Sequence, residues 1–527
     1  MSLGVRAAFG MALAVATTML HPAPARAQVA VPADFVHEVV RGGLDEPTSF
    51  TFLPDGRVLF VEQRTGKIRM IVNGAIATTD PIFIVPSVLS NSGERGLLGI
   101  TVDPGWPDLP FIYVFYNRQG GMRLVRFLAN EEVDNPNGQR IVLSSQRIIL
   151  DSLPDQFGNH NGGTLRFGPD GKLYVSLGDD GSFCMAADST SLRGQILRLD
   201  VDRLPIYGGP IVPRQLITPA DNPFVSSPDS NARLVYAFGL RNPFRFHIDP
   251  LLGTLFVDDV GDSDFEEITE VWPGDFCGWP WREGDLIRDR PECPEPGGPG
   301  AAPYRAPIAA LPHPLNTAIA TISAGMYRPR AGAGYNWPPE YYALRGDVFF
   351  GEYYTGALRR LSWNGTSWGP AAPVTGQPNP DHWATGLYNC SDFNVGPDGS
   401  LWWLSQFNEF FSAATGALQR IRYIGPSTAV GDEVPRTRAL AASPNPSRGP
   451  VDLSFALAAP ERVRLALFDL SGRRLRTVFD GVAGAGTTRL TWNGLDDRGT
   501  QAPTGMVFAR LTRESGGSAT ARILRVR

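Results

Sequence analysis

A Pro-Asp-Gly turn between two apolar runs occurs three times, and it limits the possible folds more than any other feature. Pro54-Asp55-Gly56 precedes VLFVEQ, Pro169-Asp170-Gly171 precedes LYVSLGD, and Pro397-Asp398-Gly399 precedes LWWLSQ. Proline presets the first turn position and glycine accepts positive φ, so each copy reads as a β-hairpin. Degenerate copies begin at Ile100, Phe246 and Leu344, and several continue into a return strand such as GKIRMI, GQILRLD, GALRRLSW or GALQRIRYI. That makes about six units between residues 34 and 424, without helical periodicity. Repeated antiparallel sheets of this kind close into a ring. The expected fold is all-β, a six-bladed β-propeller over 34–424, with a sandwich plus irregular extensions as the alternative. The 58 glycines and 46 prolines suit many turns, and 43% hydrophobic residues suffice for large cores.

The composition changes after residue 424. Residues 425–442 are rich in Pro, Ser and Ala and read as a linker. Alternating runs follow (VDLSFAL, RVRLALFDL, TRLTWNG, MVFARLTRE), so 443–527 is expected to form a small β-sandwich. At the other end, Met1–Arg6 is basic, Ala7–Leu20 is apolar, and Ala25-Arg26-Ala27 has small residues around a cleavage point. Residues 1–27 therefore read as an export signal with Gln28 as the mature start. The apolar run is shorter than the roughly 20 residues of a spanning helix, and no later run is longer, so no transmembrane segment is expected in the mature chain. A net charge of −5 without a basic block argues against a nucleic-acid partner.

Export permits disulfides. Four cysteines allow three pairings. Cys277 and Cys293 enclose a short polar stretch and form the natural local pair, which leaves Cys184 with Cys390. No C-x-x-C spacing suggests a cysteine metal site.

Five motifs resemble the glucose/sorbosone dehydrogenase family, whose members include pyrroloquinoline quinone (PQQ)-dependent aldose dehydrogenases. In chain order they are GERGLLGITVDP (Gly93–Pro104), HNGGTLRFGPDGKLYVSLGD (His160–Asp179), GQILRLD (Gly194–Asp200), VYAFGLRNPFRF (Val235–Phe246) and DVGDSDFEEI (Asp259–Ile268). GWPWREG (Gly278–Gly284) is a weaker match. The resemblance implies a six-bladed propeller that oxidises the anomeric carbon of a sugar, with hydride passing to PQQ. SPNPSRG (Ser443–Gly449), LFDLSGRRLRTV (Leu467–Val478) and TWNGLDDRGTQAPTG (Thr491–Gly505) resemble the immunoglobulin-like domain that ends many secreted bacterial proteins, of the type IX sorting or FlgD type. The implied partner of that domain is cell-surface or secretion machinery.

The family resemblance also implies roles. His160 is the base for the anomeric hydroxyl and Asp179 its orienter, which needs one neutral ring nitrogen held by an acceptor. Arg241 and Asn242 match the pair at the quinone, although Arg241 could instead bind backbone carbonyls. Glu94 stands where some relatives contact the cofactor with an amide, or else it pairs with a nearby base such as Arg95. Gly261 and Asp262 match a turn whose carbonyls hold calcium, with Glu267 balancing charge; the alternative is a solvated turn with Glu267 on backbone. The family's pattern fails in the last two blades. Tyr354-Thr355 stand near an expected lysine, and Asn389-Cys390-Ser391-Asp392 stand where an Arg-x-Arg-Asp run is expected. PQQ carries three carboxylates, and each lost charge-assisted bond removes about 1.5–3 kcal/mol. A non-redox propeller that binds a glycan or protein is therefore the alternative function. A calcium-dependent lactonase or esterase rests on fold analogy alone.

Overall fold

The computed structural model describes residues 28–525 except 92, 132–140, 294–303, 315–316, 331, 343–344, 409–413, 426–439 and several short turns beyond 443. The export signal at 1–27 and nearly all of the expected linker lie outside the described residues. The chain divides into two compact units, Met1–Pro426 and Ser427–Arg527.

Among the described residues the first unit contains six sheets, each with a four-stranded antiparallel core, and one separate two-stranded hairpin. Blade 1 is built on Pro47–Phe52, Val58–Glu62 and Lys67–Val72. Blade 2 begins with Leu97–Val102, blade 3 with Leu165–Phe167, blade 4 with Arg245–Ile248, blade 5 with Thr321–Met326 and blade 6 with Cys390–Val395. Each of these innermost strands packs on that of the next blade, and the sixth packs on the first. The ring is therefore closed, as the repeat predicts. The N-terminal strand Phe35–Leu44 completes blade 6 by pairing with Gly416–Tyr423, from Phe35 opposite Tyr423 to Leu44 opposite Gly416. The first and last strands of the propeller are thus paired within one sheet, which closes the ring.

The Pro-Asp-Gly turns do more than reverse the chain. Gly56, Gly171 and Gly399 have φ of +92°, +74° and +84°. The aspartates cap their own turns: Asp55, Asp170 and Asp398 accept the N–H two residues on, at 3.1, 3.0 and 3.1 Å. Asp170 and Asp398 also hold an arginine of the blade's third strand, Arg198 at 2.9 Å and Arg420 at 2.8 Å. The aspartate is thus fixed by the turn and by the strand beyond it.

The centre of the ring is plugged by Arg245, whose side chain is 1% exposed. Its guanidinium donates to Ser391 O (2.7 Å), Thr48 O (2.6 Å), Phe244 O (2.8 Å) and Thr164 Oγ1 (3.3 Å). These acceptors come from blades 6, 1 and 3 and from the approach to blade 4. Burial pulls the Arg245 pKa down to about 10. Asp392 supplies the compensating charge: Oδ1 lies 2.5 Å from Arg166 and 3.9 Å from Arg245. Its Oδ2 accepts Ser49 Oγ at 2.8 Å and Phe50 N at 3.1 Å.

The second unit has a three-stranded sheet (Ala441–Ser443, Val451–Leu457, Gly486–Trp492) and a four-stranded one ordered Arg474–Ala483, Glu461–Phe468, Gly505–Arg513, Ser518–Arg525. Leu453, Phe455, Leu465, Trp492, Val507 and Ile523 lie in its core. Among the described residues no helix is long and apolar enough to cross a membrane.

Removing one member of a buried charge group leaves the others uncompensated, which costs about 3–5 kcal/mol. Asp392→Ala should accordingly lower the propeller's urea midpoint well below that of a surface control such as Asp108→Ala, an exposed loop position, measured by tryptophan fluorescence.

Candidate functional site at the mouth of the propeller

A cavity of about 270 Å³ opens above Arg245, lined by Gln63, Glu94, Asn242, Tyr353, Tyr354 and Gln406 among others. These residues come from connections at one end of the blades, so the ring gathers side chains that lie far apart in sequence.

His160 lies on the approach to blade 3, next to Asn161, whose N–H bonds Glu94 of the cavity wall, and its side chain is 14% exposed. Its Nδ1 is 2.7 Å from Asp179 Oδ1. A carboxylate oxygen accepts, so the proton of this pair belongs on Nδ1 and Nε2 is left with its lone pair. Among the described residues Nε2 has no partner. Asp179 is 1% exposed and held on both oxygens: Oδ1 accepts Gly181 N at 2.8 Å and Oδ2 accepts Trp279 Nε1 at 2.9 Å. The hairpin between the two residues folds back on itself. A Cβ on Gly178 would lie 1.9 Å from His160 O, so only glycine allows this approach. His160 itself has φ +52°, a strained backbone for a side chain of this size. Asp180 fixes the loop in front by accepting Gln156 N at 2.7 Å and Phe157 N at 3.1 Å.

Arg241 and Asn242 are positioned from below. Asp259 accepts Arg241 N at 2.8 Å and Asn242 N at 2.7 Å. Asn242 Oδ1 then accepts Gly162 N at 3.2 Å, and its Nδ2 reaches both oxygens of Glu94 at 3.3 Å. Glu94 also accepts Asn161 N at 3.1 Å. It does not pair with Arg95, which is bound to Asp155 at 2.8 Å. Arg241 donates to Val260 O at 3.1 Å and lies 3.3 Å from Asp262, with its guanidinium 5.7 Å from the Trp279 ring. The carbonyl contact allowed by the sequence is present.

The acidic turn is held from the far side by Glu283, which the sequence did not single out. Glu283 Oε1 accepts the N–H groups of Asp262, Ser263, Asp264 and Phe265 at 2.7, 3.1, 3.1 and 3.1 Å. Arg288 binds Glu283, Asp262 and Asp264. Glu267, expected near a cation, instead accepts the backbone N–H of Gly284. Burial raises its pKa to about 8 and that of Asp259 to about 7. The carboxylates are thus spread over backbone partners and Arg288, and the described residues contain no group of three His, Cys, Asp or Glu able to hold a metal. The carbonyls of Gly261 and Asp262 accept no hydrogen bond among the described residues.

The family model for glucose/sorbosone dehydrogenases matches residues 44–406. The chain belongs to that family. It is 27% identical over 257 residues to an aldose sugar dehydrogenase of Escherichia coli, covering 48% of this chain and 63% of that one. It is 27% identical over 270 residues to quinoprotein glucose dehydrogenase B of Acinetobacter calcoaceticus, covering 47% and 52%. Hedgehog-interacting protein of Homo sapiens matches at 29% over 230 residues, 41% of this chain and 31% of that protein. The chain thus spans only about half to two thirds of the two bacterial relatives. Among solved structures, a glucose dehydrogenase-like oxidoreductase of Thermus thermophilus superposes with a TM-score of 0.53 at 26% identity, covering 73% of this chain and 99% of that one. The PQQ-bound aldose sugar dehydrogenase of Streptomyces coelicolor shares the fold, with a TM-score of 0.51 at 24% identity, covering 75% and 99%.

In this glucose/sorbosone dehydrogenase-family chain the mouth does not fit a quinone with three carboxylates. Arg64 is the sole cation among the cavity's lining residues, and its guanidinium is already committed. It donates to Glu46 at 3.2 Å, Ser90 O and Arg95 O at 3.1 Å, and Gly93 O at 2.9 Å. Glu94 adds a negative charge to the same wall. Where the family's pattern leads one to expect cations, Tyr354 is 42% exposed, and Asn389 is turned to Phe407 O at 2.8 Å. Ser391 bonds Pro47 O at 2.8 Å. Asp392 serves the ring plug. Calcium fares better, because two free backbone carbonyls at Gly261 and Asp262 match a hard, oxygen-seeking cation.

The disulfide pairing differs from the sequence expectation. Cys184 is bonded to Cys293, while Cys277 and Cys390 are free and buried. Cys277 points into the core with Ala237, Leu240 and Val257, and Cys390 starts the innermost strand of blade 6 in contact with the blade 5 core. Between Cys277 and Cys293 the chain makes the Arg282–Glu283 and Leu286–Ile287 hairpin. That detour carries Cys293 away from its sequence neighbour and onto the loop after Asp179. The bridge ties the Trp279 segment to the His160 hairpin at the rim instead of crossing the mouth to blade 6.

The buried carboxylates make stability depend on pH. Glu267 titrates near 4.5 when unfolded and near 8 when folded. The folded chain therefore keeps a proton between those values that the unfolded chain releases, and stability falls as pH rises through that window and then levels. Glu267→Gln removes the dependence, so its urea midpoint should gain on the wild type between pH 5 and pH 8, by the equivalent of roughly a few kcal/mol.

Proposed function

We propose that the mouth of the propeller takes the reducing end of a neutral sugar, with His160 as the base toward its anomeric hydroxyl. The observation that supports this most is the His160–Asp179–Trp279 chain, which holds the ring through Nδ1 and leaves Nε2 without a partner among the described residues, one residue from Asn161, whose N–H bonds Glu94 of the cavity wall. Asn242 and the Glu94 carboxylate offer a donor and an acceptor for sugar hydroxyls, and Tyr353 and Tyr354 offer flat apolar faces. On the charges present, the protein is a carbohydrate-binding member of the family that kept the base and lost the quinone's charge clamp.

A second reading is oxidation of that sugar with PQQ and calcium. The free carbonyls of Gly261 and Asp262 and the seated Arg241-Asn242 pair favour it. When bound, the quinone would supply the hydride acceptor; this chain would supply the base at the anomeric oxygen.

Calorimetry separates the two. The first predicts saturable binding of aldoses without cofactor, weaker binding of 1-deoxy analogues, and loss of that difference in His160→Ala. No saturable aldose binding sinks it. Low-micromolar PQQ binding with calcium, together with dye reduction abolished by His160→Ala, establishes the second.

We also place the protein outside the cytoplasm, with its C-terminal unit as the element addressed by cell-surface or secretion machinery. The signal-like residues 1–27 and the Cys184–Cys293 bridge support export. Mass spectrometry of the exported chain should give Gln28 as its first residue; an intact Met1 contradicts the assignment.

A further inference from the structure

A second cavity, of about 310 Å³, lies away from the mouth, between the outer strands of blades 4 and 5. Leu311, Phe350, Leu361, Trp368 and Pro370 give it an apolar wall, and Arg359 stands in it. The strand register explains how an arginine comes to be there. In Leu358–Trp363, Arg359 is opposite Phe350 in the neighbouring strand. Phe350 and Leu361 belong to the core shared with Phe256 and Ile268 of blade 4. Alternate residues of a strand share a face, so Arg359 is directed to the same side as Leu361. What blade 4 presents there is Ala309, Ala310 and Leu311, which carry no charge.

Other blades treat third-strand arginines differently. Arg69 in blade 1 is bound to Asp80 and Glu62, Arg123 in blade 2 to Asp151, Arg198 in blade 3 to Asp170 and Asp221, and Arg420 in blade 6 to Glu38 and Asp398. Even the neighbouring Arg360, on the opposite face, is bound to Asp347 at 3.0 Å and Ala372 O at 2.6 Å. Arg359 has no hydrogen bond or ion pair among the described residues, and its Nε is shut off from solvent without an acceptor. Burial lowers its pKa, and Asp381 and Glu352 act on it only through space. Glu352 is committed to the N–H groups of Ala320, Tyr354 and Thr355 at 2.7, 3.3 and 2.5 Å, and Asp381 is at the exposed rim.

A guanidinium at the apolar wall of a cavity, with no hydrogen-bonded counter-ion among the described residues, lacks an acceptor that something else can provide. We propose that this inter-blade cavity is a binding site for a small organic carboxylate with an apolar body, its carboxylate on Arg359 and its body against Trp368, Leu311 and Leu361. The planar fork matches a carboxylate bidentately, and the walls match a ring or short alkyl chain rather than a sugar.

The test is calorimetric titration of the full chain with benzoate and phenylacetate, using benzyl alcohol and inorganic phosphate as controls. The carboxylates should bind saturably, the alcohol and phosphate at least about ten-fold more weakly, as expected for loss of a charge-assisted pair or of the apolar contacts. Arg359→Met should cut carboxylate affinity about ten-fold or more while raising the melting temperature, because it removes an unpaired, part-buried charge. Asp381→Asn, a rim change outside the core, should tighten carboxylate binding by relieving like-charge repulsion. Carboxylate affinity unchanged in Arg359→Met, equal binding of benzyl alcohol, or no saturable carboxylate binding overturns the proposal. None of these outcomes involves His160 or the mouth, so sugar binding there stands or falls separately.

Discussion

The propeller depends on how a positive charge is kept at its centre. Six innermost strands surround the centre of the ring, and the buried Arg245 side chain sits there. Its donors are met by oxygens from three other parts of the ring, with Asp392 as the counter-ion shared with Arg166. A buried guanidinium with this many partners sets the spacing of blades that do not touch each other directly. The plug also bonds Thr48 and Phe244, which line the mouth, so it holds part of the cavity wall in place. This arrangement also explains part of what the mouth lacks. At the start of blade 6, Ser391 and Asp392 aim their polar atoms down at the plug and at blade 1, not up into the cavity.

The rim follows one electrostatic rule. Its carboxylates are mostly consumed by backbone N–H groups: Asp180 by Gln156 and Phe157, Asp259 by Arg241 and Asn242, Glu283 by four successive amides. Such carboxylates shape loops and have little capacity left for ligands. Asp179 differs by spending one oxygen on an imidazole. The result is a rim in which long connections are held stiff, and in which His160 Nε2 has no partner among the described residues. A base that must meet a substrate in one orientation needs such stiffness.

How far the sequence could be read depended on whether the physics was local. The Pro-Asp-Gly turns were legible because the turn, its cap and the following strand lie within ten residues, and their repetition gave the ring. His160 and Asp179 were legible because one hairpin joins them. Glu94 and Asn242 meet across three blades, and only the family pattern put both at one site. Glu283 was hidden for a different reason: its role is to accept four amides of another blade connection, and a lone Glu after Trp-Arg carries no mark of that. The cysteines misled because separation along the chain was taken as separation in space. The Arg282–Ile287 hairpin breaks that relation, carrying Cys293 to Cys184 and leaving Cys277 in the core.

The mouth and the relatives' chemistry can now be weighed as separate demands. Proton removal at an anomeric hydroxyl needs a fixed imidazole, and the Asp179–Trp279 support holds the His160 ring through Nδ1. Holding a trianionic quinone needs free cations, and the described cavity wall has one guanidinium, Arg64, which already makes four hydrogen bonds, together with the carboxylate of Glu94. A divalent ion on the Gly261–Asp262 carbonyls would add two positive charges, fewer than the three carboxylates plus Glu94 require. The first demand is met by contacts within blade 3 and its rim, the second would need blades 5 and 6. Because each blade contributes its own connection to the mouth, the two demands can be lost independently.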